Sequence, residues 1–404
     1  MSGRTRYDLC VVGAGLVGLG VARAITETLP GVSLAILEKE DSVARHQSSH
    51  NSGVVHSGLY YEPGSLKARL CVEGREATYD LCADAGIAHK RSGKLVIATE
   101  ASQLDALDEL ERRGRANGLQ GLRRLGSEEI TELEPAAIGL AALHVPEAGV
   151  ADFSAVAHHH ADTLQAAGVE ILTGTELTAI THDPGGVTLT TKAGRISARI
   201  MVNCAGLHSD RVASMAGLSP AVRIIPFRGE YYQLSGNATG LVRTLIYPVP
   251  DPRFPFLGVH FTRRVDGTVE VGPNAILAIG REHYRDTRAD WREFRSIVSH
   301  PGFRKLAMRH WWSGSKELLN SRLKRLYARQ ARKLVPALRH GDLVSGGAGV
   351  RAQAVDIKGN LVDDFVIETA GNTVHVLNAP SPGATASMAI GRYIAGEVGP
   401  LLLA

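Results

Sequence analysis

Cysteine is scarce in this sequence, and its spacing excludes two kinds of site. The four cysteines are Cys10, Cys71, Cys82 and Cys204. No two of them form the C-x-x-C pair that is typical of zinc sites and redox-active dithiols. Because no secretory leader is recognisable either, we expect reduced thiols in a cytoplasmic protein.

A strong excess of one charge and a long apolar run are also missing. Lysine and arginine together number 45 against 41 aspartates and glutamates, and a net charge of +4 gives no reason to expect a nucleic-acid partner. The apolar run Leu9–Ala22 is interrupted by glycines and is too short to span a bilayer. A chain of 404 residues predicts two or three globular domains.

The N-terminal segment, in contrast, is typical of a dinucleotide-binding βαβ unit. A glycine-rich turn joins an apolar strand to a helix, and a carboxylate ends the next strand. The glycines bring backbone N–H groups close to a pyrophosphate, and the carboxylate can accept hydrogen bonds from both hydroxyls of an unphosphorylated ribose. FAD and NAD both fit this pattern. The residues are Gly13, Gly15, Gly18 and Glu38, with strands at Tyr7–Val12 and Ser33–Glu38 and a helix that ends near Leu29.

Later elements indicate that this nucleotide-binding fold is completed only near the C-terminus. Helices are predicted at 100–117, 152–167 and 386–397, strands at 169–172, 200–203, 231–234, 258–261, 268–271 and 373–378, and a basic helical region at 290–335. We predict an α/β protein, α+β overall, in which a Rossmann-like domain is interrupted by a substrate domain on a mixed or antiparallel sheet. The first domain takes 1–85, 147–221 and 345–404, and the second takes 86–146 and 222–344.

Several longer blocks carry a resemblance to a known family. "VVGAGLVGLGVA", "VNCAGLHSDRVA" and "NAPSPGATAS" resemble the D-amino-acid-oxidase superfamily of FAD enzymes. "HNSGVVHSGLYYEPGSLKARLC", "YPVPDPRFPFLGVHFTRRVDG" and "GAGVRAQAVDIKGNLVDDFVIE" are similar to the L-2-hydroxyglutarate oxidase/dehydrogenase family within it. The resemblance covers nearly the whole chain and is weakest over 281–335.

The resemblance implies FAD as the cofactor, bound by small and polar residues. The segment after the second strand would cross the flavin, with His56 close to the isoalloxazine ring. Some relatives attach the flavin to a histidine at this place, so a covalent bond to His56 is one alternative. The other implied FAD contacts are Ser48, Ser49, His50, Asn51, Ser52, Gly53, Cys204, Ala205, Gly206, Gly383, Ala384 and Thr385.

The same resemblance implies a five-carbon dicarboxylate substrate with a hydroxyl at C2. Arginine suits carboxylates because its planar fork gives paired, charge-assisted hydrogen bonds. Arg351 is the predicted ligand of the first carboxylate, and Arg228 is the candidate for the second. The alternative for both is an arginine in a structural ion pair.

Oxidation of an alcohol also needs a base for the hydroxyl proton, and histidine titrates in the useful range. His260 is the predicted base and His56 is the other candidate, while Tyr61 and Tyr247 are candidates to orient the substrate. The alternative for His260 is a buried histidine with a satisfied hydrogen bond.

Two other segments could have either a functional or a purely structural role. The run His158–His160 falls on a helix, where successive side chains point about 100° apart, so we predict no metal site there. Ten lysines and arginines lie within 304–333 against one acid, Glu317. This segment is either a solvated basic face or a peripheral contact with the inner face of the cell membrane.

The expected function is FAD-dependent oxidation of L-2-hydroxyglutarate to 2-oxoglutarate, with hydride transfer to flavin N5 and electrons passed to a quinone or oxygen. One alternative is an amine or amino-acid oxidase of the same superfamily. Another is a flavin-binding protein without catalysis, which would have no reason to keep Arg351 and His260. The least favoured alternative is an NAD-linked dehydrogenase, because it would not explain why the C-terminal strand and helix complete the nucleotide-binding fold.

Overall fold

Two large β-sheets organise the protein in this computed structural model, which describes residues 5–251, 258–284, 290–309 and 324–403. The strands are, in chain order, β1 (Arg6–Val12), β2 (Leu34–Leu37), β3 (Val54–Val55), β4 (His89–Lys90), β5 (Lys94–Ala98), β6 (Arg123–Gly126), β7 (Ala141–Val145), β8 (Gly149–Ala151), β9 (Glu170–Leu172), β10 (Leu177–Asp183), β11 (Gly186–Thr191), β12 (Gly194–Asn203), β13 (Val222–Leu234), β14 (Leu245–Pro248), β15 (His260–Arg263), β16 (Val269–Gly272), β17 (Ile276–Leu277), β18 (Leu343–Asp356), β19 (Val366–Ala370) and β20 (Thr373–Asn378). The helices are α1 (Leu16–Thr28), α2 (Leu66–Asp84), α3 (Leu104–Ala116), α4 (Ser127–Leu133), α5 (Phe153–Ala166), α6 (Ser209–Met215), α7 (Trp291–Ser299), α8 (301–309 of the described chain), α9 (Lys324–Ala331) and α10 (Ser387–Leu403).

The first sheet contains the predicted βαβ unit. Its central strands run parallel in the order β20, β12, β1, β2, β9, and the hairpin β10–β11 continues it antiparallel from β12. The apolar side chains of β1 and β2 are buried because α1, α5 and α10 cover one face and α6 covers the other. The Rossmann-like part of the fold is therefore confirmed, with its last strand and helix supplied by the C-terminus.

The second sheet is mixed. Its order is β17, β13, β16, β15, β14, β5, β7, β6, and the long strand β18 also pairs with β13. The neighbours β5 and β14 run parallel, whereas β13 and β18 run antiparallel over most of their length. The predicted α/β class with a second, mixed sheet is confirmed. The domain boundaries stay a prediction. The strand β18 crosses the predicted boundary between the substrate domain and the nucleotide-binding domain at residue 345.

The two ends of the chain meet where glycines let backbones touch. A Cβ added at Gly20 in α1 would lie 2.6 Å from the carbonyl oxygen of Ser387, and one at Gly391 in α10 would overlap the carbonyl of Gly20. In α2, a Cβ at Gly74 would lie 2.5 Å from the carbonyl oxygen of Thr385. This close packing fixes the segment before α10 beside the N-terminal turn.

The described part of the basic segment at 304–333 is helical except for a turn at 332–333. Leu306 and Leu334 are buried within the protein, as are Tyr327 and Ala331, whereas the basic side chain of Arg329 is exposed. Part of the predicted segment, 310–323, lies outside the described residues. In the part of the chain that the structure describes, no helix is long and apolar enough to cross a bilayer. Peripheral membrane contact stays a prediction.

The glycine contact between α1 and α10 can be tested with a matched pair of substitutions in α10. Gly391→Ala should lower the free energy of unfolding by about 1–3 kcal/mol, because the new methyl group has no room. Gly396→Ala meets no atom within 4 Å and should be neutral or stabilising by about 0.5–1 kcal/mol, because alanine favours the helix. Urea unfolding of both variants measures the difference, and equal effects would contradict the packing described.

Candidate active site

The glycine motif forms the turn between β1 and α1, and two of its positions cannot carry a side chain. Gly13 has a φ of 105°, in the region that favours glycine. A Cβ there would lie 2.5 Å from the carbonyl oxygen of Cys204, and a Cβ at Gly18 would overlap the carbonyl of Gly13. α1 then begins at Leu16 with no acidic residue in its first turn, so its N-terminus can accept an anion.

Glu38 follows β2 and connects the end of this strand to the turn. Its Oε2 accepts a hydrogen bond from the N–H of Ala14 at 2.9 Å, and its Oε1 accepts one from the N–H of Glu40 at 3.0 Å. The carboxylate is buried but still lines a cavity. Because each oxygen can accept a second hydrogen bond, Glu38 can support the turn and bind ribose hydroxyls at once.

The polar loop between β2 and β3 is tied to both chain ends. The Oγ of Ser48 accepts a hydrogen bond from the N–H of Leu16 at 2.9 Å. Further along, the N–H of His56 donates to Oγ1 of Thr385 at 3.1 Å, and that hydroxyl donates to the carbonyl of Val54 at 3.3 Å. The turn-forming residues of this loop therefore position the N-terminal turn and the segment before α10 around one space.

That space is a cavity of about 730 Å³ that runs between the two sheets. Most of the predicted cofactor residues line it, and so do three of the residues predicted to act on the substrate. From the predicted set, the wall contains Gly13, Gly15, Glu38, Ser48, His50, Asn51, Ser52, His56, Cys204, Ala205, Gly206, His260, Arg351, Gly383, Ala384 and Thr385.

Six predicted residues do not line the cavity. Gly18 lies under the turn, and Ser49 and Gly53 shape the loop: the Ser49 hydroxyl donates to the carbonyl of Ala44, and Gly53 has a φ of 71°. The other three, from the predicted substrate set, are Tyr61, Tyr247 and Arg228.

His260 is held in an orientation suited to accept a proton. Its Nδ1 lies 2.9 Å from the carbonyl oxygen of Gly258, and because a carbonyl only accepts, Nδ1 carries the hydrogen and Nε2 of the neutral ring is free to accept one. The ring of Tyr247 stacks on it with centroids 4.0 Å apart. Burial, with the positive charges of Lys94 and Arg351, lowers the pKa of His260 to about 4, so the ring is neutral at pH 7.

His56 lies on the same wall. Its Nε2 is 3.1 Å from the hydroxyl of Ser381, and its Nδ1 is buried without a hydrogen-bond partner among the described residues. Burial, followed by the positive charges of Lys94 and Lys67, lowers the pKa of His56 well below its usual value. Both candidate bases are thus neutral, and a covalent bond between His56 and the flavin stays a prediction.

Arg351 and Arg228 lie on neighbouring strands but have different surroundings. Arg351 of β18 pairs across the sheet with Phe227 of β13, and both line the cavity. The next residue along β13, Arg228, does not line the cavity. Its guanidinium instead forms an ion pair with Glu230. The structure therefore brings Arg351 to the site and keeps Arg228 away from it.

The two predicted tyrosines stand behind the cavity wall, each next to a buried lysine. The ammonium of Lys67 lies 4.8 Å from the ring centroid of Tyr61, and that of Lys94 lies 4.8 Å from the ring centroid of Tyr247. Neither lysine was expected at the site. A lysine at the start of an apolar strand or helix is normally a solvated residue, so the sequence gives no signal that these two are buried.

Near Glu38 the cavity wall carries a cluster of charged side chains. Lys39 forms ion pairs with both Glu40 and Glu282, and His46 and His208 each contact one of these carboxylates. Hydrogen bonds and positive charge from these partners lower the pKa values of both glutamates. Oxygen and nitrogen atoms of Glu40, His46 and Glu282 lie within 4.8 Å of one another, but the ammonium of Lys39 already pairs with both carboxylates, so we assign no metal here.

These features fit FAD. The turn lines the cavity at Gly13 and Gly15, the N-terminus of α1 carries no competing acid, and Glu38 is placed for a ribose. The cavity continues past this dinucleotide end to His56, His260 and Arg351, so a ring bound there would face groups suited to an acid substrate. Its volume is within the usual range of about 300–1,000 Å³ for ligand sites.

Comparison with known proteins agrees with this interpretation. The family model described as FAD dependent oxidoreductase matches residues 8–397. The L-2-hydroxyglutarate dehydrogenase of Indibacter alkaliphilus is 45% identical and the alignment covers 95% of this chain and 97% of that protein. The mitochondrial L-2-hydroxyglutarate dehydrogenase of Homo sapiens is 42% identical, with 97% and 88% covered.

Solved structures share the fold at lower identity. The FAD-bound L-alpha-glycerophosphate oxidase of Mycoplasma pneumoniae superposes with a TM-score of 0.78 at 23% identity, covering 99% of this chain and 95% of that one. The glycine oxidase of Geobacillus kaustophilus gives a TM-score of 0.73 at 20% identity, covering 98% and 95%. These two likenesses bear on the fold alone.

Removal of the Glu38 charge tests the dinucleotide end of the cavity. Glu38→Gln should weaken FAD binding roughly 10- to 100-fold, because hydrogen bonds to a charged group are worth about 1.5–3 kcal/mol. Titration of the apoprotein with FAD, followed by flavin fluorescence, measures the loss. Asp41→Asn, in an exposed side chain three residues later, is the matched control and should bind FAD normally. Unchanged affinity in Glu38→Gln would exclude the assigned role.

Proposed function

Because the chain belongs to the L-2-hydroxyglutarate dehydrogenase family of FAD-dependent oxidoreductases, we propose that it oxidises the C2 hydroxyl of L-2-hydroxyglutarate and forms 2-oxoglutarate. One observation carries the proposal: Arg351 and His260 lie on the wall of the same cavity as the dinucleotide turn. Next to the part of the cavity suited to the cofactor, there is therefore a cation that can bind a carboxylate and a histidine that can accept a proton.

Arg351 provides the contact for the C1 carboxylate. Its guanidinium can donate two parallel, charge-assisted hydrogen bonds, which fix both the position and the plane of a carboxylate. The side chain starts from the centre of β18, which is held along its length by β13, so the guanidinium is anchored on a sheet rather than on a loop. A carboxylate held there fixes where the neighbouring C2 lies.

His260 provides the base for the hydroxyl proton. When the C2–H bond breaks, the hydroxyl O–H bond also breaks, a carbonyl forms, and the proton passes to Nε2 of His260. When bound, FAD supplies the acceptor for the hydride that leaves C2. The hydrogen bond to Gly258 and the stacked ring of Tyr247 keep Nε2 in one orientation, and the lowered pKa keeps it unprotonated before substrate binds.

We further propose a quinone or oxygen as the acceptor that reoxidises the cofactor. The proposal follows from the chemistry alone, since two electrons must leave the protein after each turnover.

Anaerobic mixing of the FAD-loaded protein with each enantiomer of 2-hydroxyglutarate tests the proposed function. The L enantiomer, the one named in the relatives above, should bleach the visible absorbance of the flavin and yield 2-oxoglutarate, because a fixed carboxylate and base present only one face of C2 to the cofactor. The D enantiomer should leave the spectrum unchanged. Bleaching by amines or amino acids but not by L-2-hydroxyglutarate would overturn the proposal.

The role of His260 can be tested by a substitution that keeps a polar side chain. His260→Asn should slow anaerobic bleaching by about 10²- to 10⁴-fold, the usual contribution of a general base, while FAD stays bound. His160→Asn, at a buried histidine of α5 outside the cavity, should keep the rate per bound FAD. A wild-type rate in His260→Asn would leave His56 as the base.

A further inference from the structure

Lys94, the first residue of β5, is a buried cation in aromatic surroundings. The residue is 1% exposed, and its Nζ lies 4.7 Å from the ring centroid of Tyr60 and 4.8 Å from that of Tyr247. Its backbone is fixed between two strands, where it pairs with Val145 of β7 and Leu245 of β14. The position of the ammonium is therefore set by the sheet.

No group of the described chain balances this charge. Nζ has no hydrogen-bond acceptor among the described residues, and the ionisable groups beside it stay neutral because burial raises the pKa values of Cys71, Tyr60 and Tyr247. An ammonium without acceptor or counter-ion is very unfavourable inside a protein. Contacts with two aromatic faces offset only part of that cost.

The ammonium nevertheless acts on the substrate end of the cavity. Its positive charge adds to the effect of burial in lowering the pKa values of both His56 and His260, which line the cavity. The ring of Tyr247 contacts both His260 and the ammonium of Lys94. The other lysine at this end, Lys67, is already paired with Asp363 at 2.8 Å. Lys94 thus contributes a charge that the described residues leave unmatched.

We propose that Lys94 is a specificity-determining residue whose ammonium balances the second carboxylate of a dicarboxylate substrate. The rings of Tyr247 and His260 would lie between the two charges. This inference rests on the proposed function and deepens it, because it assigns the cation for the second carboxylate that Arg228 cannot supply. A buried charge discriminates a dianion from a monoanion of the same length, since only the dianion relieves the unpaired cation. Lys94 does not line the cavity, so it acts through its field rather than by contact.

The substrate preference follows from a matched pair of substrates. L-2-hydroxyglutarate and L-2-hydroxyvalerate have the same five-carbon chain and differ in the second carboxylate. Lys94→Met keeps the length of the side chain and removes its charge, so kcat/KM for the dicarboxylate should fall roughly 10- to 100-fold, while kcat/KM for the monocarboxylate changes by less than about threefold. Lys90→Met, at an exposed lysine four residues earlier, should change neither value, and Lys94→Arg should restore part of the preference.

The pH dependence gives a second readout. Burial lowers the pKa of Lys94 to about 8, so its charge is present below that pH and is lost as the pH rises through it. The facing groups do not titrate there, because the pKa of Cys71 is raised to about 12, those of Tyr60 and Tyr247 are raised, and those of His56 and His260 are lowered. We expect kcat/KM for L-2-hydroxyglutarate to fall in the wild type as the pH rises through about 8. This fall should be absent in Lys94→Met.

Stability and product binding separate this role from a structural one. Lys94→Met should keep or raise the Tm, because it removes an unpaired buried charge. It should also weaken the binding of 2-oxoglutarate but not that of 2-oxovalerate, which can be measured by the change in the flavin spectrum. A lower Tm with an unchanged substrate ratio would overturn the inference. If the wild type does not oxidise L-2-hydroxyglutarate, the proposed function fails, whereas a wild type that does so and a Lys94→Met variant that keeps the preference refute Lys94 alone.

Discussion

Close backbone contact at glycine positions is the constraint on which the rest of the structure depends. Gly13 and Gly18 let the first turn fold against Cys204, the residue that follows β12, and Gly20 and Gly391 let the first and last long helices touch. Because no side chain separates these backbones, residues from both chain ends line one cavity. The cofactor end and the substrate end are then parts of a single space, and neither sheet could form it alone.

Within that space the charges are unequal in a way that favours an anionic substrate. Near Glu38, carboxylates and cations pair with one another. At the other end, Arg351 lines the wall and Lys94 lies unpartnered behind it among the described residues. Burial, with a smaller contribution from the same positive charges, lowers the pKa of His260 and keeps its ring neutral. A dicarboxylate that enters would offset the cost of burying the ammonium of Lys94.

The sequence predicts local patterns better than side-chain surroundings. The βαβ unit, the strand Thr373–Asn378 and the last helix follow from apolar periodicity and glycine spacing, and the structure confirms them. Arg228 could not be separated from Arg351 in this way, because their difference depends on side-chain surroundings: Arg228 pairs with Glu230, whereas Arg351 lines the cavity. Lys94 gave no signal, since its burial results from Tyr60 and Tyr247, which are distant in the sequence.

The central claim is that a five-carbon keto acid binds between the cofactor and this cationic end of the cavity. A crystal structure of the FAD-loaded protein with 2-oxoglutarate tests it most directly. We expect the C1 carboxylate on the guanidinium of Arg351, the C2 oxygen within hydrogen-bond distance of Nε2 of His260, and the distal carboxylate on the side of Lys94. A keto acid bound elsewhere, or with its distal carboxylate turned away from Lys94, would contradict it.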